Sequence, residues 1–140
     1  MEHQEQTTKE SNAGAERVPP QERFAHDILK FDLRAVAAKL AGEHNATNRG
    51  HRQIALYKLK QVTAALFCFD KGGSMPQHKA DGTVLIQVIE GNITLKVGGE
   101  DVTLDAGGLL VLAPGTLHEV LANEETIMLL TVCLRAGLTR

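Results

Sequence analysis

The sequence predicts an all-β protein, one small barrel or two-sheet sandwich preceded by a single short helix. Three observations carry this expectation. From Gln53 onward, short apolar runs alternate with period two, the spacing of a strand that buries one face. Glycine-bearing turns separate the runs, with no helical pattern between them. At 140 residues the chain has room for one domain and for a core that needs no staples.

Taken in order, Met1 to Arg23 is rich in Glu, Gln, Thr and Ser and carries Pro19-Pro20. It has too little apolar surface to offset the entropy of ordering, so a flexible arm is expected. Order begins near Phe24. Asp32 is placed to cap a helix, because its carboxylate accepts the free N–H groups of a first turn. Leu33, Val36, Ala37 and Leu40 then fall on one face, and Gly42 suits a left-handed stop. A helix over Leu33 to Ala41 is too short to stand alone, so its apolar face must lie on a sheet.

After a polar loop from Glu43 to Gly50, strands are predicted at Gln53 to Lys60 and Gln61 to Asp70. Lys71-Gly72-Gly73 is a turn, and a short polar segment leads to His78. Val84 to Ile89 is a strand that Glu90-Gly91-Asn92 turns back into Ile93 to Val97. Gly98-Gly99 is a tight two-residue hairpin turn into Asp101 to Leu104. Leu109 to Ala113, His118 to Ala122 and Thr126 to Leu134 complete about nine strands. Val84 to Ile89 and Ile127 to Leu134 are apolar on both faces. One face fills the barrel, and the other must be covered by the helix or by a second subunit, so a homodimer is expected.

Charge and composition exclude several classes. Fifteen Lys and Arg against 17 Asp and Glu give a net charge of −2, with no basic stripe for nucleic acid. No apolar run reaches the roughly 18 residues that span a bilayer. The N-terminal segment has no apolar stretch of the signal-peptide kind, so a cytoplasmic protein is expected. Cys68 and Cys133 lie in apolar strand-like runs and read as buried free thiols of a reducing compartment.

Two stretches have the same form, GGSMPQHKADGTVLIQVIEG from Gly72 to Gly91 and GGLLVLAPGTLHEV from Gly107 to Val120. Each brings one imidazole to the end of a strand beside a tight turn. In the first, Gly72, five residues, His78-Lys79-Ala80, three residues, Val84, six residues and Gly91 follow in register. In the second, Gly107, five residues, Ala113-Pro114-Gly115, two residues and His118 follow. This pair of motifs resembles the cupin family over about Gln53 to Leu134. The resemblance implies a single-domain double-stranded β-helix, or jelly-roll barrel, over residues 51–135. It would be preceded by a helix-containing segment over 24–50 and the arm over 1–23.

The resemblance also implies a metal site, and here the chain departs from the pattern. The family's second histidine and glutamate of the first motif stand here as Ala80 and Val84, and Ala122 stands where an asparagine is usual. His78 and His118 remain. Two neutral imidazoles bring no charge to balance a divalent ion and hold one only if other groups complete the shell. Glu119 should point away from His118, Asp81 lies in a turn, and spacing alone does not place Gln77, Thr116 or His51. Three readings of the histidine pair stand open. They are ligands of one divalent transition metal (Zn, Ni, Fe or Mn), or polar groups of a metal-free pocket, or side chains satisfied by nearby backbone. His3, His26 and His44 are expected in solvent.

With Val84 inward, Ile86 and Val88 follow it. Together with Gln77, Ala80 and Val120 they are the expected pocket lining, with the histidines at one end. A mostly apolar cavity with few polar handles suits a small molecule. The function expected is therefore binding of a small, largely apolar molecule in the barrel. The rival is an isomerase or oxygenase with a two-histidine metal centre, and a third class is an interaction module acting through its surface. Whether the chain is an enzyme is left open by the sequence.

Overall fold

The computed structural model describes residues 23, 24, 26–43 and 49–134. Of the arm expected over 1–23, residues 1–22, with His3, lie outside the described residues, as does the loop residue His44. Among the described residues, helix α1 (Leu33–Ala41) precedes nine strands: β1 (His51–Leu59), β2 (Val62–Phe69), β3 (Ser74–His78), β4 (Gly82–Glu90), β5 (Asn92–Val97), β6 (Glu100–Asp105), β7 (Leu109–Leu112), β8 (His118–Ala122) and β9 (Thr126–Leu134). They form a five-stranded sheet in the order β1-β2-β9-β4-β7 and a four-stranded sheet in the order β3-β8-β5-β6. Every ladder is antiparallel, and the two sheets face each other as a double-stranded β-helix.

Period-two patterning accounts for the core. Val84, Ile86 and Val88 of β4 point inward and meet Ile93 and Leu95 of β5, Val120 of β8 and Met128 of β9. These side chains expose 3% or less of their surface. Each large one stabilises the fold by roughly 1.5–3 kcal/mol relative to an exposed position. At the β5–β6 hairpin, Gly98 and Gly99 both have positive φ, 57° and 84°. This is the backbone of a turn whose twist matches its flanking strands.

The helix forms where the sequence places it. Asp32 accepts the Ala35 N–H at 3.2 Å, a cap worth about 1 kcal/mol. The stop differs from expectation: Gly42 has φ −83° and ends the helix in the right-handed region, its N–H donating to the Lys39 carbonyl at 3.1 Å. Ala37 and Leu40 are buried. The helix covers the outer face of the first sheet, where Ala37 packs with Leu56 and Leu66, flanked by Ile127 and Leu129. Arg34 reaches from the helix to Glu90 at 2.7 Å, an exposed ion pair of small energetic weight.

This cover is partial. Leu109 and Val111 of edge strand β7 are each 56% exposed. The cysteines also differ from expectation: both are free but half-buried on the outer face rather than in the core, with the Cys68 thiol under the helix, 3.6 Å from the Ala37 carbonyl. His26 is half-buried rather than fully solvated. Among the described residues no helix is long and apolar enough to cross a membrane.

Strand β3 was expected only as a polar segment. Ser-Met-Pro-Gln-His has no alternation, and Pro76 lacks a donor for a ladder. It forms a strand because it occupies a sheet edge, where a missing N–H is tolerated.

Candidate functional site

That edge strand carries the site. Ser74 pairs with Leu121 and Met75 with Val120, but the register then shifts, and His78 pairs with His118. Continued without a shift, the ladder would bring Gln77 opposite His118. The bulge adds one residue and with it reverses the face that each following side chain takes. His78 is thereby turned toward His118, and Gln77, expected in the pocket, is exposed. The two rings touch, with centroids 4.2 Å apart and planes at 59°.

Both rings are held in the same way. His118 Nδ1 lies 3.1 Å from the Thr116 carbonyl, and His78 Nδ1 lies 2.9 Å from the Pro76 carbonyl. A carbonyl oxygen only accepts, so each Nδ1 carries the proton and each neutral ring keeps its Nε2 lone pair. His118 is 1% exposed, and its Nε2 is buried with no hydrogen-bond partner. Burial holds the His118 imidazole below the ordinary 6.5, the Thr116 carbonyl works the other way, and His78 adds to the lowering. Burial thus favours the neutral form of His118, whose Nε2 stands as an acceptor beside the His78 ring.

The ligand set that the resemblance implies is not met by these residues. Ala80 is half-buried and Val84 is packed in the core, and neither bears a donor atom. Among the described residues no three His, Cys, Asp or Glu side chains gather closely enough to hold a metal ion. Glu119 lies opposite Lys96 in the β5–β8 ladder, on the face away from the His118 ring, and Asp81 is exposed. Two imidazoles without a carboxylate leave a divalent ion with half a shell and no compensating charge.

His51 is occupied elsewhere. Its ring lies 5.4 Å from both Phe67 and Phe69, with Nδ1 3.1 Å from the Ser74 carbonyl and Nε2 3.1 Å from Gln53 Oε1. It ties β1 to the start of β3 rather than joining the histidine pair. Thr116 contributes through its backbone carbonyl.

The expected lining is also redistributed. Val84, Ile86, Val88 and Val120 do face inward, but at 0–3% exposure they are packed core rather than a pocket wall. The less tightly closed inner face belongs to β9 and β2. Leu130 and Val132 are direct cross-strand partners of Ile86 and Val84 and so share their face, yet both are only half-buried. Thr63, opposite Val132, is half-buried as well. Ala80, Met75 and Val97 complete the half-buried rim packed against the core, and Val97 is the β5 partner of His118. Alternation in β9 marks Leu130 and Val132 as one face, but nothing local marks that face as open.

Comparison with known proteins agrees with this architecture. A family model described as the cupin domain matches residues 65–133, a span from β2 to β9 that includes both histidines. No curated protein matches the chain by sequence. Among solved structures, a conserved protein of unknown function from Streptococcus pyogenes superposes with a TM-score of 0.65 at 19% identity, covering 82% of this chain and 94% of its own. A cupin superfamily protein from Desulfitobacterium hafniense gives 0.64 at 16% identity, covering 81% and 96%. KdgF from Halomonas sp. gives 0.57 at 20% identity, covering 66% and 86%. At such identities the likeness establishes the fold, and a fold shared by 466 matching chains does not select an activity. By its two motifs, its sheet order and the matched domain, the chain belongs to the cupin family.

Proposed function

We propose that this cupin binds a small, largely apolar molecule at the end of the barrel where His78 and His118 meet, without a resident metal. The observation that carries this reading is the His118 Nε2, a buried acceptor with no partner beside a second imidazole in the same tautomer. A buried polar atom left unsatisfied costs about 1–3 kcal/mol, which a bound molecule with a matching donor recovers. The apolar rim of Ala80, Val97, Leu130 and Val132 suits the remainder of such a ligand. The rival reading, a metal-dependent isomerase or oxygenase, draws on the same two nitrogens but lacks the carboxylate that would complete a centre.

Dye-based thermal melting against a small-molecule library, with and without chelator, tests the reading. Parallel runs use Zn, Ni, Fe and Mn, and both protein and His118→Phe are measured. Organic compounds should raise the melting temperature of the parent with or without chelator, and the gain should vanish in the variant. Stabilisation by metal alone, at one ion per chain, would overturn it in favour of the rival.

A further inference from the structure

The same site carries a statement about ligand class, which rests on the binding reading above. We infer that the molecule taken between His78 and His118 presents a hydrogen-bond donor, a hydroxyl or an amine, on an otherwise apolar body, and that the carboxylate of the same skeleton is refused.

Each ring has already committed its only N–H, to Pro76 in one case and Thr116 in the other. With Nδ1 committed, each ring in its neutral form offers Nε2 as an acceptor, and the ring centroids lie 4.2 Å apart. A hydroxyl satisfies one nitrogen, and an amine with two or more protons satisfies both.

An anion finds nothing comparable. Apart from His118, the inward-facing residues from Val84 to Val88 on β4, on β5, β7 and β8, and from Met128 to Val132 on β9 are all apolar. None of these is a lysine or arginine, and Lys79, next to His78, and Lys58, opposite Thr63 of β2, are both exposed. Lys96 lies opposite Glu119 on the outer face and sits 3.8 Å from Asp101. A carboxylate would therefore give up its hydration for two acceptor lone pairs, unless a ring took up a second proton. Burial of His118 opposes that protonation. The site thus inverts the polarity of a metal centre: it takes a donor where a metal would take an acceptor.

A matched set of probes on one ring separates the possibilities: benzyl alcohol, benzylamine, benzoate and toluene, titrated into the 15N-labelled full chain near pH 7.5. Amide shifts map the site, and long-range 15N correlation of the imidazoles reads their tautomers directly. Benzyl alcohol or benzylamine should perturb His118, Val97 and Val132 and move the His118 Nε2 resonance. Its Kd should be at least about tenfold lower than that of benzoate and of toluene, the ratio given by one hydrogen bond of about 1.4 kcal/mol. His118→Phe should remove the preference, and His118→Gln, which keeps an acceptor oxygen, should restore part of it. Benzoate binding at the same place as tightly as the alcohol and the amine would overturn the ligand class and leave the binding site standing. Probes that bind elsewhere, or that perturb no residue of the pair up to their solubility, would overturn the binding site itself.

Discussion

His118 stands directly across the β3–β8 ladder from His78, and their rings touch with centroids 4.2 Å apart. The pairing has a pH consequence. In the unfolded chain an imidazole takes its proton near 6.5. In the folded chain burial, and after it His78, hold His118 below that value. As pH falls below about 6.5, the unfolded state binds more protons than the folded state, so stability drops. The contribution is complete above the unfolded value and is lost as pH falls through the folded one. Urea midpoints should therefore fall between pH 7.5 and pH 5.5, and His118→Phe should flatten part of that fall. An equal or steeper fall in the variant would remove His118 as a source.

The two positions that lack donor atoms make a constructive test. Val84 is 3% exposed and pairs with Leu112 and Val132, so a glutamate there without a counter-charge should cost several kcal/mol. Ala80→His combined with Val84→Glu, the ligand set that the family resemblance implies, should melt well below the parent in chelator. Nickel or zinc at about 100 times its Kd should then return roughly 2.7 kcal/mol, while the parent is unmoved. Thermal melts with metal titration decide this, and absence of rescue would mean that the four positions do not converge.

Much of the architecture was legible because local chemistry alone fixes it. The Asp32 cap and the Leu33, Val36, Ala37, Leu40 stripe define α1, and Gly98-Gly99 defines its hairpin. What was not legible depends on partners distant in sequence. Ser-Met-Pro-Gln-His becomes a strand only because β8 lies beside it and its outer edge is free of a ladder. Gln77 was expected among the pocket residues although spacing alone did not place it, and a one-residue bulge exchanges the faces of Gln77 and His78. Alternation correctly turned Val84, Ile86 and Val88 inward. Whether an inward face is sealed or open is settled by the opposite sheet, which is why the half-buried wall fell on Leu130 and Val132.

The turn that closes the first motif should be intolerant of any side chain. Gly91 has φ +100°, and a Cβ on it would run into the Glu125 carbonyl and the Thr126 hydroxyl. Thr126 is itself engaged there, its hydroxyl lying 3.1 Å from the Asn92 N–H, which donates to it. Gly99 also has positive φ, +84°, but a Cβ on it meets nothing within 4 Å. Gly99→Ala should therefore cost about 1–2 kcal/mol, the backbone strain alone. Gly91→Ala should cost more, through displacement of the β4–β5 turn. Denaturant titration of the two variants checks the order, and equal losses would assign the whole effect to φ.

Cys68 should be a poor nucleophile in the folded protein. Burial pushes its thiol up to about 11, with Arg52 pulling back slightly. At pH 8 only about one thiol in a thousand would be ionised, and the thiolate is the reactive form. Brief labelling with iodoacetamide followed by peptide mass spectrometry should modify Cys133 before Cys68. In urea above the unfolding midpoint both should label fully. Preferential labelling of Cys68 under native conditions would show that α1 opens more readily than its packing on Leu66 indicates.

The homodimer expected from the sequence requires an apolar face that the helix leaves bare, and β7 supplies one. Leu109 and Val111 are each 56% exposed and point away from the core. They pair with Gln87 and Leu85 on the outer face of β4. Leu109→Lys with Val111→Lys removes no core contact, so stability of the single chain should change by less than about 0.5 kcal/mol per site. If a second copy covers β7, light scattering should give a dimer for the parent and a monomer for the double variant. A parent that is monomeric up to about 100 µM, well above the roughly micromolar affinity of weak specific pairs, removes the second subunit from consideration. A dimer that survives both lysines would place the interface on another face.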